Sequence, residues 1–191
     1  MPTKTVKYYH VPKFRKIVAT TQRAASASMV ESLKPHDGGD SKKIEPGEVL
    51  DLKKRGVHVL MWIRDPFDRI ACAYNVFGKR FDTVEGFAEH ICSNMNPHWS
   101  PQVKLHCYYG EFLPTRVYPF ESLPSTWNVE LPHHPLIHIG ENPNRLTWPE
   151  LRDQMSSLII ADILAYWEDD VLMHSFARQY GCWMPGVEKV A

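Results

Sequence analysis

The sequence predicts an α/β fold: one domain over residues 1–191, with a mainly parallel sheet covered by helices. Three observations carry that expectation. Apolar runs of strand length alternate along the chain with stretches of helical periodicity. The run VHVLMWI, residues 57–63, is almost continuously apolar, as a central parallel strand covered on both faces has to be. A chain of 191 residues with 43% hydrophobic content is long enough to bury one sizeable core.

The elements follow in order. Residues 8–11 and 16–21 read as short strands with a turn near Pro12. AASASMVESLK, residues 24–34, reads as a helix with Met29, Val30 and Leu33 available for burial. PHDGGDSKKIEPGE, residues 35–48, combines turn formers with charge and reads as a solvated loop. After the apolar strand, Asp65 as N-cap, Pro66 at the first helical position and Asp68 in the first turn specify a helix, with Ile70, Ala73, Tyr74 and Phe77 as its buried stripe. Asp82 with Glu85 fits a capping box for a helix reaching Ser93, and NPHWSPQ, with its two prolines, reads as an irregular loop. Short strands are expected at 116–118 and 136–139. Thr147, Pro149 and Glu150 resemble a helix start, and Ile160, Ile163, Leu164, Trp167, Val171 and Phe176 keep helical spacing up to a stop at Gly181.

Composition narrows the function classes. With 22 basic and 22 acidic residues the charges cancel, so nothing favours nucleic acid or an anionic membrane as the main partner, and any anion site has to be local. The first residues lack an apolar core of signal-peptide length, and no window approaches the ~20 apolar residues of a membrane span. A soluble, cytoplasmic protein is expected. Cys72, Cys92, Cys107 and Cys182 are widely spaced without a CxxC pair, which argues against a zinc ribbon and reads as reduced thiols.

Two stretches carry candidate chemistry. Arg64 stands at the carboxyl end of the apolar strand, where open α/β sheets bind ligands, and its fixed charge and forked donors suit a phosphate. Pairing with Asp65 or Asp68 as local glue is the other reading of the same residue. Upstream, KIVATT runs through QRAASAS into the first helix. That places Arg23, backbone N–H groups and the hydroxyls of Thr20, Thr21, Ser26 and Ser28 above the sheet edge as the outline of an anion cradle. Ala24 and Ala25 stand where a phosphate loop usually has glycine.

Together these stretches resemble the carbohydrate sulfotransferases that use 3′-phosphoadenosine 5′-phosphosulfate (PAPS). RDPFDRIACAY, residues 64–74, is similar to the family segment RDPFxRxxSAY that grips the nucleotide's 3′-phosphate, and the strand, loop and helix before it resemble the grip on the 5′-phosphosulfate. HWSPQ, residues 98–102, is similar to the family's HWxPQ element, VYPFESL to its strand with a following Glu, and YWEDDVLMHSF to its closing helix. The resemblance implies a P-loop NTPase-like three-layer sandwich with a central mainly parallel sheet flanked by helices. It also implies PAPS as co-substrate, adenosine 3′,5′-bisphosphate as product, a carbohydrate or small-molecule acceptor, and no metal.

Carried over position by position, the nucleotide would be held by Gln22, Arg23, Ala24, Ala25, Ser26, Arg64 and Cys72. The family's loop Lys falls on Arg23 or, shifted by one, on Gln22; its Gly on Ala24 or Ala25; its Thr on Ser26; its 3′-phosphate Ser on Cys72, a weaker donor. Arg23 and His98 are the catalytic candidates, Arg23 to neutralise the leaving phosphate and His98 to take the acceptor's proton, with packing beside Trp99 as the other use of His98. His133 and His134 lack a third metal ligand at recognisable spacing and read as a solvated turn. Trp62, Trp99, Trp127 and Trp148 read first as core. Two function classes follow: a PAPS-dependent sulfotransferase, or a non-catalytic binder of adenosine bisphosphate or a protein partner on the same fold. A P-loop kinase is disfavoured because GxxxxGK[ST] is absent.

Overall fold

β1 (Lys7–Val11) and β2 (Lys16–Thr20) form an antiparallel hairpin closed by a 3-10 turn at Pro12–Phe14, with Arg15 left-handed at φ 52° to reverse the chain. The computed structural model describes residues 6–24, 26–34, 41–132, 134–137 and 145–184. After β2 come α1 (Ser26–Ser32), β3 (Lys42–Ile44), α2 (Pro46–Lys54) and β4 (His58–Ile63), then α3 (Pro66–Phe77) and α4 (Val84–Ser93). A short α5 (Gln102–Leu105) leads to the two-residue strands β5 (Cys107–Tyr108) and β6 (Glu111–Phe112). Their turn, Tyr109–Gly110, has φ 48° and 79°, the double positive φ that matches the twist of a tight hairpin. β7 (Arg116–Pro119), α6 (Leu123–Glu130), α7 (Trp148–Arg152), α8 (Ser157–Tyr166) and α9 (Glu168–Tyr180) complete the described chain.

The main sheet is mixed, in the order β3-β1-β2-β4-β7. β2, β4 and β7 are parallel, in register Ala19↔Met61 and Ile63↔Pro119, so their carboxyl ends share one edge. β1 runs antiparallel to both of its neighbours. Alternation along β4 explains why the sheet is covered on both faces. Val59, Met61 and Ile63 pack with Ile17, Ala19 and Val117 against Val49 of α2 and Ala177 of α9. Leu60 and Trp62 pack with Val18 against Met29 of α1 and Leu123 and Trp127 of α6. A separate cluster joins α3, α4 and α8 through Ile70, Phe87, Ile91 and Ile163, with Trp167 beside them.

Several boundaries differ from the sequence expectation, each for a local reason. The loop expected over 35–48 is shorter: Lys42–Ile44 pairs with β1, and Pro46 opens α2 through a capping box in which Glu48 accepts the Glu45 N–H at 3.1 Å. Thr83, not Asp82, caps α4, accepting from Gly86 N at 3.0 Å, while Glu85 instead accepts from Ser156 N. The long C-terminal periodicity is two helices, because Trp167 leaves helical geometry (φ −104°, ψ 13°) to bury its ring and donate from Nε1 to the Trp99 carbonyl. Residues 136 and 137 form no strand, and 138–139 lie outside the described residues. The Asp65 and Thr147 helix starts and the left-handed Gly181 stop (φ 78°) are as the sequence implies.

One buried ion pair organises the irregular segment before α5. Arg69, 0% exposed on α3, donates to the carbonyls of Ser100 (2.9 Å) and Pro97 (3.3 Å) and faces Asp170 of α9 at 3.8 Å. Asp170, also 0% exposed, accepts from Gln102 N (2.6 Å) and Val103 N (2.8 Å). Burial pushes the Arg69 pKa down to about 10, against the pull of Asp170, so it stays charged at neutral pH; burial pushes the Asp170 carboxyl up, opposed by Arg69 and the two backbone donors. Removing one charge from such a pair strands the other. Asp170→Asn is expected to cost about 3 kcal/mol or more in urea unfolding. A change within about 0.5 kcal/mol, the range of a neutral surface substitution, would show that the carbonyls alone hold the loop.

Candidate functional site

The site is built at the shared carboxyl edge of β2, β4 and β7, where side chains leaving adjacent parallel strands converge. Arg64, next after β4 and 8% exposed, donates from Nη1 to the carbonyl of Arg23 at 3.3 Å, and its guanidinium carbon lies 5.2 Å from the Phe120 ring beyond β7. Its approach to Asp68, 4.0 Å and half open to solvent, is at the limit of an ion pair, and its Nε is buried without a partner among the described residues. Local glue therefore uses only part of the guanidinium. Cys72 is half-buried one turn beyond Asp68 on the same face of α3.

The loop after β2 closes tightly, with Ala24 N donating to the Thr21 carbonyl at 3.2 Å. The residue that takes positive φ there is Arg23, at 64°, not a glycine. A non-glycine residue held left-handed costs about 1–3 kcal/mol and has to be imposed by its surroundings. The Arg23 guanidinium lies 5.6 Å from the Phe77 ring at the end of α3, with Nε buried and, among the described residues, unpartnered. Phe77 also meets the His98 ring edge-on at 4.9 Å, so Arg23 and His98 share one aromatic neighbour. Burial lowers the His98 pKa, as do the nearby Arg23 and Arg69 charges, and its Nδ1 has no partner among the described residues: at neutral pH this is an uncharged imidazole able to accept a proton.

The other expected residues are placed differently. Gln22 and Ser26 line a cleft of about 310 Å³ that also takes in Lys7 and Lys34. Ala24 is buried, and Ala25 lies outside the described residues. His133 does too, while the His134 ring packs edge-on against Phe14. Trp62, Trp99 and Trp127 are core residues, and Trp148 stacks on Phe67. All four cysteines are free. Among the described residues no group of three His, Cys, Asp or Glu could hold a metal ion, and no helix is long and apolar enough to cross a membrane.

Sequence reasoning named Thr21 and Gln102 but missed the contacts that hold the edge together. Gln102, fully buried, accepts the Arg64 N–H at 3.0 Å and donates from Nε2 to the Trp62 carbonyl (3.2 Å) and to Thr21 Oγ1 (3.4 Å), tying the ends of β4 and β2 to each other. Thr21 Oγ1 is 2.6 Å from His106 Nε2, and His106 Nδ1 is 2.9 Å from the Tyr8 hydroxyl. His174 was missed as well. Buried on α9, it lies 3.9 Å from Asp65 and 3.4 Å from Glu121, beside a cleft of about 470 Å³ reaching Phe67 and Arg178. HWSPQ flagged Gln102 as a motif position, but His106, His174 and Tyr8 have no local pattern and only the folded chain brings them to this edge.

Burial, aided by the Arg69 charge, pushes the His106 pKa down to about 3. A folded pKa below the unfolded value means that the unfolded chain binds a proton which the native ring refuses. The His106 contribution is therefore complete above about pH 6.5 and is lost as pH falls toward 3, with a slope approaching about 1.4 kcal/mol per pH unit. Urea titrations from pH 7 to pH 5 should show a steeper loss for the parent than for His106→Gln. Parallel curves would mean that His106 is protonated in the native state. A scan against protein-family models and searches of curated proteins and of solved structures found no match.

Proposed function

We propose that this protein is a PAPS-dependent sulfotransferase, moving a sulfuryl group from 3′-phosphoadenosine 5′-phosphosulfate to a hydroxyl of a carbohydrate or small-molecule acceptor. One observation carries the reading: the two segments that resemble the family's nucleotide grips meet at one sheet edge, where Arg64 bonds to the backbone of Arg23 and both keep a buried, unpartnered Nε. Buried guanidinium donors without partners fit a polyanion, which returns the hydrogen bonds they lack. Arg64 takes the 3′-phosphate, with the Cys72 thiol adding at most a weak bond. Arg23 takes the 5′-phosphosulfate end.

The chemistry then follows from placement. The acceptor oxygen attacks sulfur in line as the bond from sulfur to the bridging phosphate oxygen breaks, leaving adenosine 3′,5′-bisphosphate with one more negative charge on its 5′-phosphate. Arg23 neutralises that charge; its guanidinium lies 5.6 Å from the Phe77 ring with Nε already buried. His98, uncharged at neutral pH, accepts the acceptor's proton on a ring nitrogen and passes it to solvent.

Calorimetry with adenosine 3′,5′-bisphosphate tests the reading. Arg64→Ala should weaken that ligand by about 1.5–3 kcal/mol while barely changing adenosine 5′-phosphate. Equal losses for both nucleotides would remove Arg64 from the 3′-phosphate, and no binding by the parent would remove the donor altogether. A non-catalytic binder keeps Arg64 but has no use for a base. His98→Ala should leave donor affinity intact and slow transfer by about 100-fold or more, assayed with labelled PAPS against a screened acceptor. An unchanged rate means that His98 is a packing residue against Phe77.

A further inference from the structure

We infer that the Thr21 hydroxyl, on a residue 3% exposed, is an anion-binding donor, its proton left unused by Gln102 and His106 and available to an oxyanion held at the carboxyl edge of the sheet; the oxyanion's identity, a phosphate or sulfuryl oxygen of the nucleotide donor, rests on the reading above. The inference comes from following each proton along the buried chain Tyr8, His106, Thr21, Gln102.

Gln102 sets the first direction. Its Oε1 accepts the Arg64 N–H, so the opposite atom is the amide nitrogen, which donates to Thr21 Oγ1. Tyr8 sets the second. Its hydroxyl is buried, the side chain 2% exposed, and among the described residues its hydrogen-bond partner is His106 Nδ1. A phenol proton aimed anywhere else would be a buried donor with no acceptor, so Tyr8 donates and Nδ1 is the bare ring nitrogen. His106 is wholly buried and uncharged at neutral pH, so its single ring proton is on Nε2 and is donated to Thr21 Oγ1 across 2.6 Å. Thr21 Oγ1 thus accepts twice, which fills both lone pairs. Its own proton has no acceptor among the described residues.

Thr21 also opens the loop that carries Arg23 and is tied through Gln102 to the backbone of Arg64. A hydroxyl locked as a pure donor between two arginine-bearing segments suits a tetrahedral oxyanion, which offers only acceptors. Had the ring held its proton on Nδ1, Thr21 would donate inward to Nε2 and have nothing to offer a ligand.

Two experiments test this. Nitrogen NMR on the histidine-labelled parent reads the His106 tautomer directly and needs no variant to fold. Protonated Nε2 with bare Nδ1 is expected; the reverse tautomer overturns the inference. Titrations with adenosine 3′,5′-bisphosphate and, separately, with inorganic sulfate then compare the parent with Thr21→Val and Thr21→Ser. Val should weaken the anion by about tenfold or more, the loss expected for a hydrogen bond to a charged group, while Ser keeps most of the affinity. A Ser variant as weak as Val overturns the inference, since it retains the hydroxyl, and so does a Val variant as tight as the parent, which leaves the nucleotide reading intact. Sulfate binding that responds to Thr21→Val without nucleotide binding supports the inference and defeats the nucleotide reading. A parent that binds neither ligand defeats both.

Discussion

A guanidinium with no access to water has to find its partners inside the protein, and in this chain Arg69 finds them in the least regular part of the fold. Residues 96–101 have no helix or strand; a local turn pairs the Asn96 carbonyl with the Trp99 and Ser100 N–H groups, and the carbonyls of Pro97 and Ser100 take their partner elsewhere. Arg69 takes two of the carbonyls, and Asp170, facing Arg69, takes the N–H groups that start α5. One ion pair thereby gives an irregular loop a single conformation and docks α9 against it. Buried pairs of this kind contribute little net stability compared with an apolar replacement, but they fail badly when half is removed, which makes them devices for specifying one arrangement.

The candidate site inherits that order. His98 and Gln102 stand on the pinned segment, so the same contacts that satisfy Arg69 carry an imidazole to Phe77 and an amide to the ends of β2 and β4. Gln102 acts as a stitch between parallel strands just beyond the last ladder bond. The edge is therefore stiff where it is made of backbone and amide, and incompletely satisfied where it is made of side chains.

That incompleteness is concentrated. Among the described residues, the buried polar atoms without a partner belong to Arg23, Arg64, Arg69, His98 and His174, all at or beside this one edge. Each such group costs roughly 1–3 kcal/mol in the protein by itself. Arg23 adds a left-handed backbone, and His174 is set between two carboxylates. The unpaired atoms of Arg23, Arg64 and His98 lie where the proposed nucleotide and acceptor are assigned.

How much of this was legible before folding depends on how local the cause is. The apolar run of β4, the Asp65-Pro66 start of α3, the Thr147 capping box and the Gly181 stop are written within a few residues, because side-chain periodicity and capping act over one or two turns, and the structure reproduces them. Arg64 was legible for the same reason, since the end of a buried strand marks a sheet edge. The break at Trp167 was not: helical spacing continues through it, and only the buried ring and its bond to the Trp99 carbonyl end the helix. The edge strand at Lys42–Ile44 was hidden because charged residues on an outer strand look like a loop until β1 lies beside them. Nor could any local pattern show that Arg69 is a core residue, that positive φ falls on Arg23, or that His106 joins Tyr8 to Thr21. The sequence by itself determined the central strand, the arginine that ends it, and the helix boundaries at Asp65, Thr147 and Gly181, since those follow from neighbours along the chain. The tertiary structure alone decided which buried polar groups find partners and which are left facing the sheet edge, because that depends on groups far apart in the chain meeting where water cannot reach, as Arg69 and Asp170 do across 101 residues.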